Sequence, residues 1–176
     1  MAEDRNKNEV ILQVKDLRIS FRAYGGLVKA VRGVSFDLKR GETVAIVGES
    51  GSGKSVSIKA IMGVLPGNAI IEGGEILYGG MDLTKLTEEE FHKIRGKRIG
   101  LIFQDPLSSL NPIMKVGAQI MEALILSQKM DKKAARIRAL ELMEAVGIPD
   151  VERRFHQYPF QFSGGMRQRI VIAIAL

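Results

Sequence analysis

The 176-residue sequence predicts an α/β fold built around a phosphate-binding loop. Three consecutive observations predict it. Thr43-Val-Ala-Ile-Val47 is a short, continuous, β-rich apolar run, the pattern of a strand buried on both faces. The glycine-rich stretch Gly48-Glu-Ser-Gly-Ser-Gly-Lys-Ser55 follows it directly. Ser55–Leu65 then has the apolar spacing of a helix that stops before Pro66.

The remaining elements follow in order along the chain. Val10–Phe21 and Ala30–Leu38 read as strands, and the alternation in Val34-Ser-Phe-Asp-Leu38 suits a half-buried antiparallel one. Gly73–Gly80 reads as strand and turn. Thr87 with Glu90 three residues on is a capping-box pattern for a short helix reaching about Arg95. Arg98–Phe103 reads as a second buried strand, Asp105–Pro112 as a loop and Met114–Leu126 as a helix. Asp131 is placed to cap a further helix in which Ala134, Ile137, Leu140 and Met143 form an apolar stripe, ending at Gly147. Ser163-Gly-Gly opens the last helix.

Gly48–Ser55 fits G-x-x-x-x-G-K-[ST] at every defined position, and a strand before it with a helix after it is the context that gives the motif meaning. Glycines at 48, 51 and 53 let the backbone curl through positive φ and turn successive N–H groups onto phosphate oxygens. The helix start adds free N–H groups and its dipole. Lys54 is placed to reach the β- and γ-phosphates, and the Ser55 hydroxyl to join a Mg²⁺ shell. The ligand indicated is a nucleoside triphosphate, with ATP the first choice.

Composition excludes several other chemistries. With no cysteine, disulfide frameworks, thiolate metal sites and cysteine nucleophiles are ruled out. The charged start offers no signal-type apolar stretch, and the longest apolar run, Ile170–Leu176, is far short of the roughly 20 residues of a spanning helix. The formal charge of +6 is spread along the chain, which suits a mildly basic solvated surface rather than a nucleic-acid site. His92 and His156 read as surface residues. Ile170–Leu176 closes the sequence without a cap or polar tail, as though a domain were cut within its core.

Phe162-Ser-Gly-Gly-Met-Arg-Gln-Arg169 sets the class. Ser163 is a good N-cap, and Gly164 and Gly165 leave the first helical N–H groups unobstructed, which makes a second anion-binding helix start. Alone it is equally an ordinary capped helix. With the phosphate loop it resembles the signature motif of the ABC ATPases, and Gln104 in Ile102-Phe-Gln-Asp-Pro106 stands where that family has its Q-loop glutamine. Three stretches, Gly48–Ser55, Phe103–Pro112 and Gln157–Arg169, further resemble the ATP-binding subunits of bacterial oligopeptide and dipeptide importers, from about Val10 to Leu176. Met166 departs from the wider superfamily, where glutamine is common, so nucleotide contacts there fall to Ser163 and backbone N–H groups.

The resemblance implies an α/β P-loop NTPase of ABC ATPase type: a RecA-like core, an N-terminal antiparallel β subdomain and an α-helical subdomain. Residues 8–40 and 70–84 would form the β subdomain, 41–69 and 97–104 the P-loop core, 105–162 the helical subdomain and 163–176 the signature helix. The family's Walker B aspartate, catalytic glutamate and switch histidine follow the signature helix and are not in this sequence, so the chain itself is expected to bind ATP without appreciable turnover. Nucleotide contacts are implied for Gly48, Glu49, Ser50, Gly51, Ser52, Gly53, Lys54, Ser55 and Val56. Gln104 and Ser55 would hold Mg²⁺, and Lys54 and Gln104 would serve catalysis. Ser163, Gly164 and Gly165 would close on the γ-phosphate held by a second subunit, paired head to tail as a homo- or heterodimer. An aromatic ring stacks on adenine in the family, and Tyr24 and Phe21 are the two candidates, with Tyr24 slightly preferred.

Membrane permease subunits, and indirectly an extracellular or periplasmic peptide-binding protein, are the implied partners, with no nucleic acid. The implied location is the cytoplasmic face of the cell membrane. Other cargoes, such as nickel or glutathione, remain open. A soluble ABC protein acting on nucleic acid or ribosomes is a further alternative, disfavoured by the short stretch between Gln104 and Ser163.

Overall fold

A long hairpin opens the structure, a computed structural model that describes residues 8–105 and 109–176. Strand β1 (Val10–Ala23) runs to a two-residue turn at Tyr24-Gly25 and returns as β2 (Gly26–Lys39), paired from Ala23↔Gly26 to Val10↔Lys39. The sequence pattern stops the strands at Phe21 and Ala30, but the ladder continues to the turn, where Gly26 takes φ 124°. Strand β3 (Ala69–Tyr78) pairs antiparallel with the other edge of β1, and β4 (Met81–Asp82) pairs with β3. The sheet order is β2-β1-β3-β4. Leu12, Val14, Leu17, Ile19, Val31 and Ile76 are buried, each contributing about 1.5–3 kcal/mol if fully withdrawn from water.

A bulge crosses the sheet at Asp16, which sits at φ 43° while Gly33 and Gly74 beside it take φ 100° and 92°. The Asp16 N–H donates to Ser35 Oγ at 2.8 Å, and a Cβ on Gly74 would meet the carbonyl oxygens of Lys15 and Asp16 at 2.5 Å. The backbones approach so closely there that only glycine fits.

Helix α1 (Lys54–Ile61) ends earlier than the sequence pattern suggests. Gly63 at φ 62° terminates it, with Gly63 N–H donating to Ala60 O and Val64 N–H to Lys59 O, the two bonds of a Schellman ending. A 3₁₀ turn (Leu83–Lys85) capped by Asp82 precedes α2 (Glu88–Ile94). The capping box forms as expected: Thr87 N–H donates to Glu90 Oε2 at 2.8 Å and Glu90 N–H to Thr87 Oγ1 at 3.4 Å.

Two expected strands are absent among the described residues. Thr43–Val47 has no ladder partner, and Arg98–Phe103 contributes only one isolated bridge, Ile99 to Arg95. Val47 is 89% exposed and Phe103 45%. A continuous apolar run becomes a buried strand only with a strand laddered along its edges and packing on both faces, and among the described residues neither run belongs to the sheet.

The chain divides into two units, Met1–Phe91 and His92–Leu176. In the second, α3 (Val116–Gln128), α4 (Lys132–Ala145), α5 (Val151–Phe155) and α6 (Gly164–Ala175) surround a core that includes Val116, Ile120, Leu142, Met143, Phe155 and Ile170. Asp131 Oδ1 accepts from Lys133 N–H and Ala134 N–H, as expected of an N-cap. Gly147 at φ 75° ends α4, with Ile148 N–H donating to Met143 O. The apolar stripe of α4 is displaced from expectation: Ala135, Ala139, Leu142 and Met143 are buried, while Ile137 is 52% exposed. Small alanines face inward there because α3 and α6 pack closely against that side. Gly117 of α3 lies against the Phe155 ring, leaving no room for a side chain. Of the expected loop Asp105–Pro112, residues Pro106, Leu107 and Ser108 lie outside the described residues. No helix among the described residues is long and apolar enough to cross a membrane.

Candidate functional site

The phosphate loop is held in shape by bonds within the first unit. Ser52 N–H donates to Glu49 O at 3.2 Å, closing a tight turn. Gly51 and Gly53 take φ 83° and 90°, as expected, whereas Gly48 does not adopt positive φ. A Cβ at Gly48 would lie 2.8 Å from Ser52 Oγ, a contact that a turn of the serine side chain relieves, so neither backbone conformation nor packing space fixes glycine there. Gly53 meets both requirements at once: its Cβ would lie 2.5 Å from Ala30 O and 3.2 Å from Val31 Cγ2 on β2. The loop therefore rests on the hairpin at that point.

Gly53 is also the N-cap of α1, and it offers no side chain to the first N–H groups. The helical ladder begins with Ser57 N–H donating to Gly53 O at 2.9 Å, so the N–H groups of Lys54, Ser55 and Val56 precede it. Those amides and the positive end of the helix are what an anion requires. Lys54 Nζ donates to Gly48 O and Glu49 O, both at 2.7 Å, with Ser52 Oγ at 3.5 Å. The ammonium thus sits over the start of the loop, in reach of anything the loop encircles. Glu49, Ser50 and Ser55 are exposed, and Ser55 presents its hydroxyl from the first turn of α1.

One residue of this construction was not singled out from the sequence. Ser57 is 3% exposed, and its hydroxyl donates to the Gly53 carbonyl at 3.1 Å, doubling the bond made by its own N–H. A serine inside a helix with no loop of its own gives no sequence signal; its value comes from the carbonyl four residues back. Tyr24, at the hairpin tip, is fully exposed, while Phe21 is half-buried in the ladder opposite Val28 and Ala69.

The second unit carries the remaining candidates. Gln104 is exposed, just beyond the Arg98–Phe103 segment. Ser163 caps α6 by accepting from Met166 N–H at 3.4 Å. Gly164 and Gly165 are exposed, do not use positive φ, and would each meet nothing within 4 Å if given a Cβ. Neither glycine is therefore required by the chain's own packing or backbone geometry. His92 and His156 are exposed, as expected, and the His156 ring stands edge-on to Phe155 with centroids 5.2 Å apart. No group of three or more His, Cys, Asp or Glu residues suited to a metal occurs among the described residues.

Gln119 is a second residue missed in the sequence. Only 8% exposed, it accepts from Asn111 N–H at 2.9 Å and donates to Asn111 O at 2.9 Å and Met114 O at 3.0 Å. It fastens the stretch that follows the Gln104 motif onto α3.

Comparison with known proteins adds an independent result. A family model described as ABC transporter matches residues 31–176. The oligopeptide transport ATP-binding protein OppD of Bacillus subtilis (strain 168) is 59% identical over 167 residues, covering 94% of this chain and 47% of that protein. The dipeptide transport ATP-binding protein DppD of Lactococcus lactis subsp. cremoris (strain MG1363) is 57% identical over 177 residues, covering 100% of this chain and 49% of that protein. The chain thus spans about half the length of these curated relatives. Among solved structures, a dimeric post-hydrolysis state of an ATP-binding cassette bound to ADP and Pi superposes with a TM-score of 0.82 at 29% identity. That match covers 94% of this chain and 68% of the other. The expected α/β P-loop fold of ABC ATPase type is the fold these matches support.

Proposed function

This chain belongs to the ABC transporter family, and from that membership we propose that it is the ATP-binding portion of a motor subunit driving import of oligopeptides or dipeptides. One observation carries the reading furthest. The chain builds two helix starts suited to anions, the first with its own lysine and the second with two glycines that nothing in the chain requires. Open glycines at a capped helix start suit the close approach of a phosphate brought by another molecule.

In this reading the Gly48–Val56 loop amides and Lys54 hold the β- and γ-phosphates of ATP, Glu49 and Ser50 contributing through their backbones. The donors for Mg²⁺ are neutral oxygens, the exposed Ser55 hydroxyl and the Gln104 amide, which fit a hard cation that takes its other ligands from phosphate and water. The metal, when bound, neutralises charge on the phosphate oxygens. Ser163, Gly164 and Gly165 then close over the γ-phosphate of a second subunit paired head to tail. Residues 8–40 and 70–84, 41–69 and 97–104, 105–162 and 163–176 take the subdomain roles that the resemblance implies. The helical part would carry closure to permease subunits at the cytoplasmic face of the membrane, with a peptide-binding protein supplying cargo.

Two measurements test this. Titration with ATP and Mg²⁺ should show one saturable site per chain, and sedimentation should show ATP-dependent pairing that Gly165→Val abolishes while leaving ATP binding intact. Absence of saturable ATP binding would sink the motor reading. Peptide uptake that persists in cells lacking the protein would leave the ATPase assignment but remove the cargo.

Register supports Phe21 over Tyr24 as the adenine-stacking ring. Phe21 pairs with Val28, two residues from the Ala30 carbonyl on which Gly53 rests, whereas Tyr24 stands at the tip of the hairpin. Base stacking on an aromatic ring contributes about 1–3 kcal/mol, so Phe21→Ala should weaken ATP binding by about 5- to 150-fold. Tyr24→Ala should leave it unchanged, and neither should alter the affinity for inorganic triphosphate. The reverse pattern would move the assignment to Tyr24.

A further inference from the structure

We infer that Arg167 is the positioning residue for the phosphate-facing start of α6, and that its two-pronged grip sets how tightly one copy closes on nucleotide held by another; this rests on the shared-site reading above. Arg167 is the fourth residue of α6, and its guanidinium folds back past the helix start. Nε donates to Pro159 O at 2.8 Å and Nη2 to Phe160 O at 3.3 Å. Its backbone N–H donates to Ser163 O at 2.9 Å. One residue therefore ties down both ends of the stretch from Pro159 to Ser163.

That stretch is itself a 3₁₀ turn (Pro159–Gln161), in which Gln161 N–H donates to Tyr158 O at 3.0 Å and Gln161 Oε1 accepts from Tyr158 N–H at 2.8 Å, but these bonds close the turn on itself and do not reach α6. Gly164 and Gly165 have no side chains, and the Ser163 cap bond is long at 3.4 Å. Phe162 supplies the anchor beneath: it is 3% exposed, its N–H donates to Pro159 O at 3.1 Å, and the Arg154 guanidinium lies 5.6 Å above its ring. With Phe162 fixed below and the Arg167 fork gripping the two carbonyls before it, the angle at which Ser163 enters the helix is determined. A cation in the first turn of a helix is opposed by the helix dipole. Charge-assisted bonds to two consecutive carbonyls offset that opposition, and only the planar fork of arginine reaches both at once.

The test uses the full-length protein with Arg167→Met and Arg167→Lys. Affinity for ATP at low protein concentration reads each copy's own phosphate loop, and sedimentation velocity with ATP reads closure between copies. Both variants should bind ATP within about twofold of the parent, while pairing weakens about tenfold or more, as expected for loss of charge-assisted bonds. The lysine variant should pair little better than the methionine one. Unchanged pairing in Arg167→Met, a matching fall in ATP affinity, or full rescue by lysine would each overturn the inference. If the unsubstituted protein does not pair with ATP, the shared-site reading fails, and this inference with it.

Discussion

Lys54→Ala is expected to lower the affinity for Mg-ATP by roughly 10- to 100-fold, the effect of removing one or two hydrogen bonds to a charged group. The Lys54 ammonium lies 2.7 Å from both Gly48 O and Glu49 O, at the mouth of the loop whose amides would face the phosphates. Loss of that charge removes attraction for the β- and γ-oxygens, and it also releases the two carbonyls that define the loop's first turn. Lys54→Arg should not restore binding, because a planar fork cannot replace a compact ammonium over two converging carbonyls. Melting of the nucleotide-free protein should change little, since the bonds lost are exposed to water. A fluorescent-nucleotide titration decides the matter: an unaltered affinity in Lys54→Ala would remove this loop from the site.

The features that were legible in the sequence are those whose chemistry is local. Asp131, the Thr87–Glu90 pair, Gly147 and Ser163 all act through bonds to backbone groups within a few residues, so composition and spacing reveal them. Pro66 is the louder stop signal in the sequence, but α1 ends before it because Gly63 supplies the left-handed residue that a Schellman ending needs. Thr43–Val47 reads as a strand because apolar β-branched residues favour one, but a strand exists only as part of a ladder. Periodicity alone places Ile137 in the core, and the direction of the helix's contact face decides otherwise. Gln119 and Arg167 carry no such local signal: each bonds backbone carbonyls five to eight residues back whose position is set by a turn, so its role appears only once that turn has a shape.

Gly53→Ala should be the most damaging single-atom addition in the phosphate loop, and comparison with Gly51→Ala shows why. Both glycines adopt left-handed backbone, at φ 90° and 83°, which costs a side-chain-bearing residue about 1–2 kcal/mol. Gly51 has nothing within 4 Å of an added Cβ, so its substitution should show that conformational cost and little else. At Gly53 the same methyl group would meet Ala30 O at 2.5 Å and Val31 Cγ2 at 3.2 Å. Neither neighbour yields easily, since Ala30 O is β-strand backbone and Val31 is 3% exposed. The loop must lift from the hairpin, taking with it the Gly53 carbonyl that receives both Ser57 bonds and the first N–H groups of α1. Overpacking of this kind adds about 1–3 kcal/mol to the conformational cost. Urea unfolding should therefore rank Gly53→Ala well below Gly51→Ala in stability, and ATP titration should show a loss of binding in the first that exceeds the second by about tenfold or more. Equal losses at the two positions would mean that the contact with Ala30 does not set the loop's shape, leaving backbone conformation alone as the reason for glycine at 53.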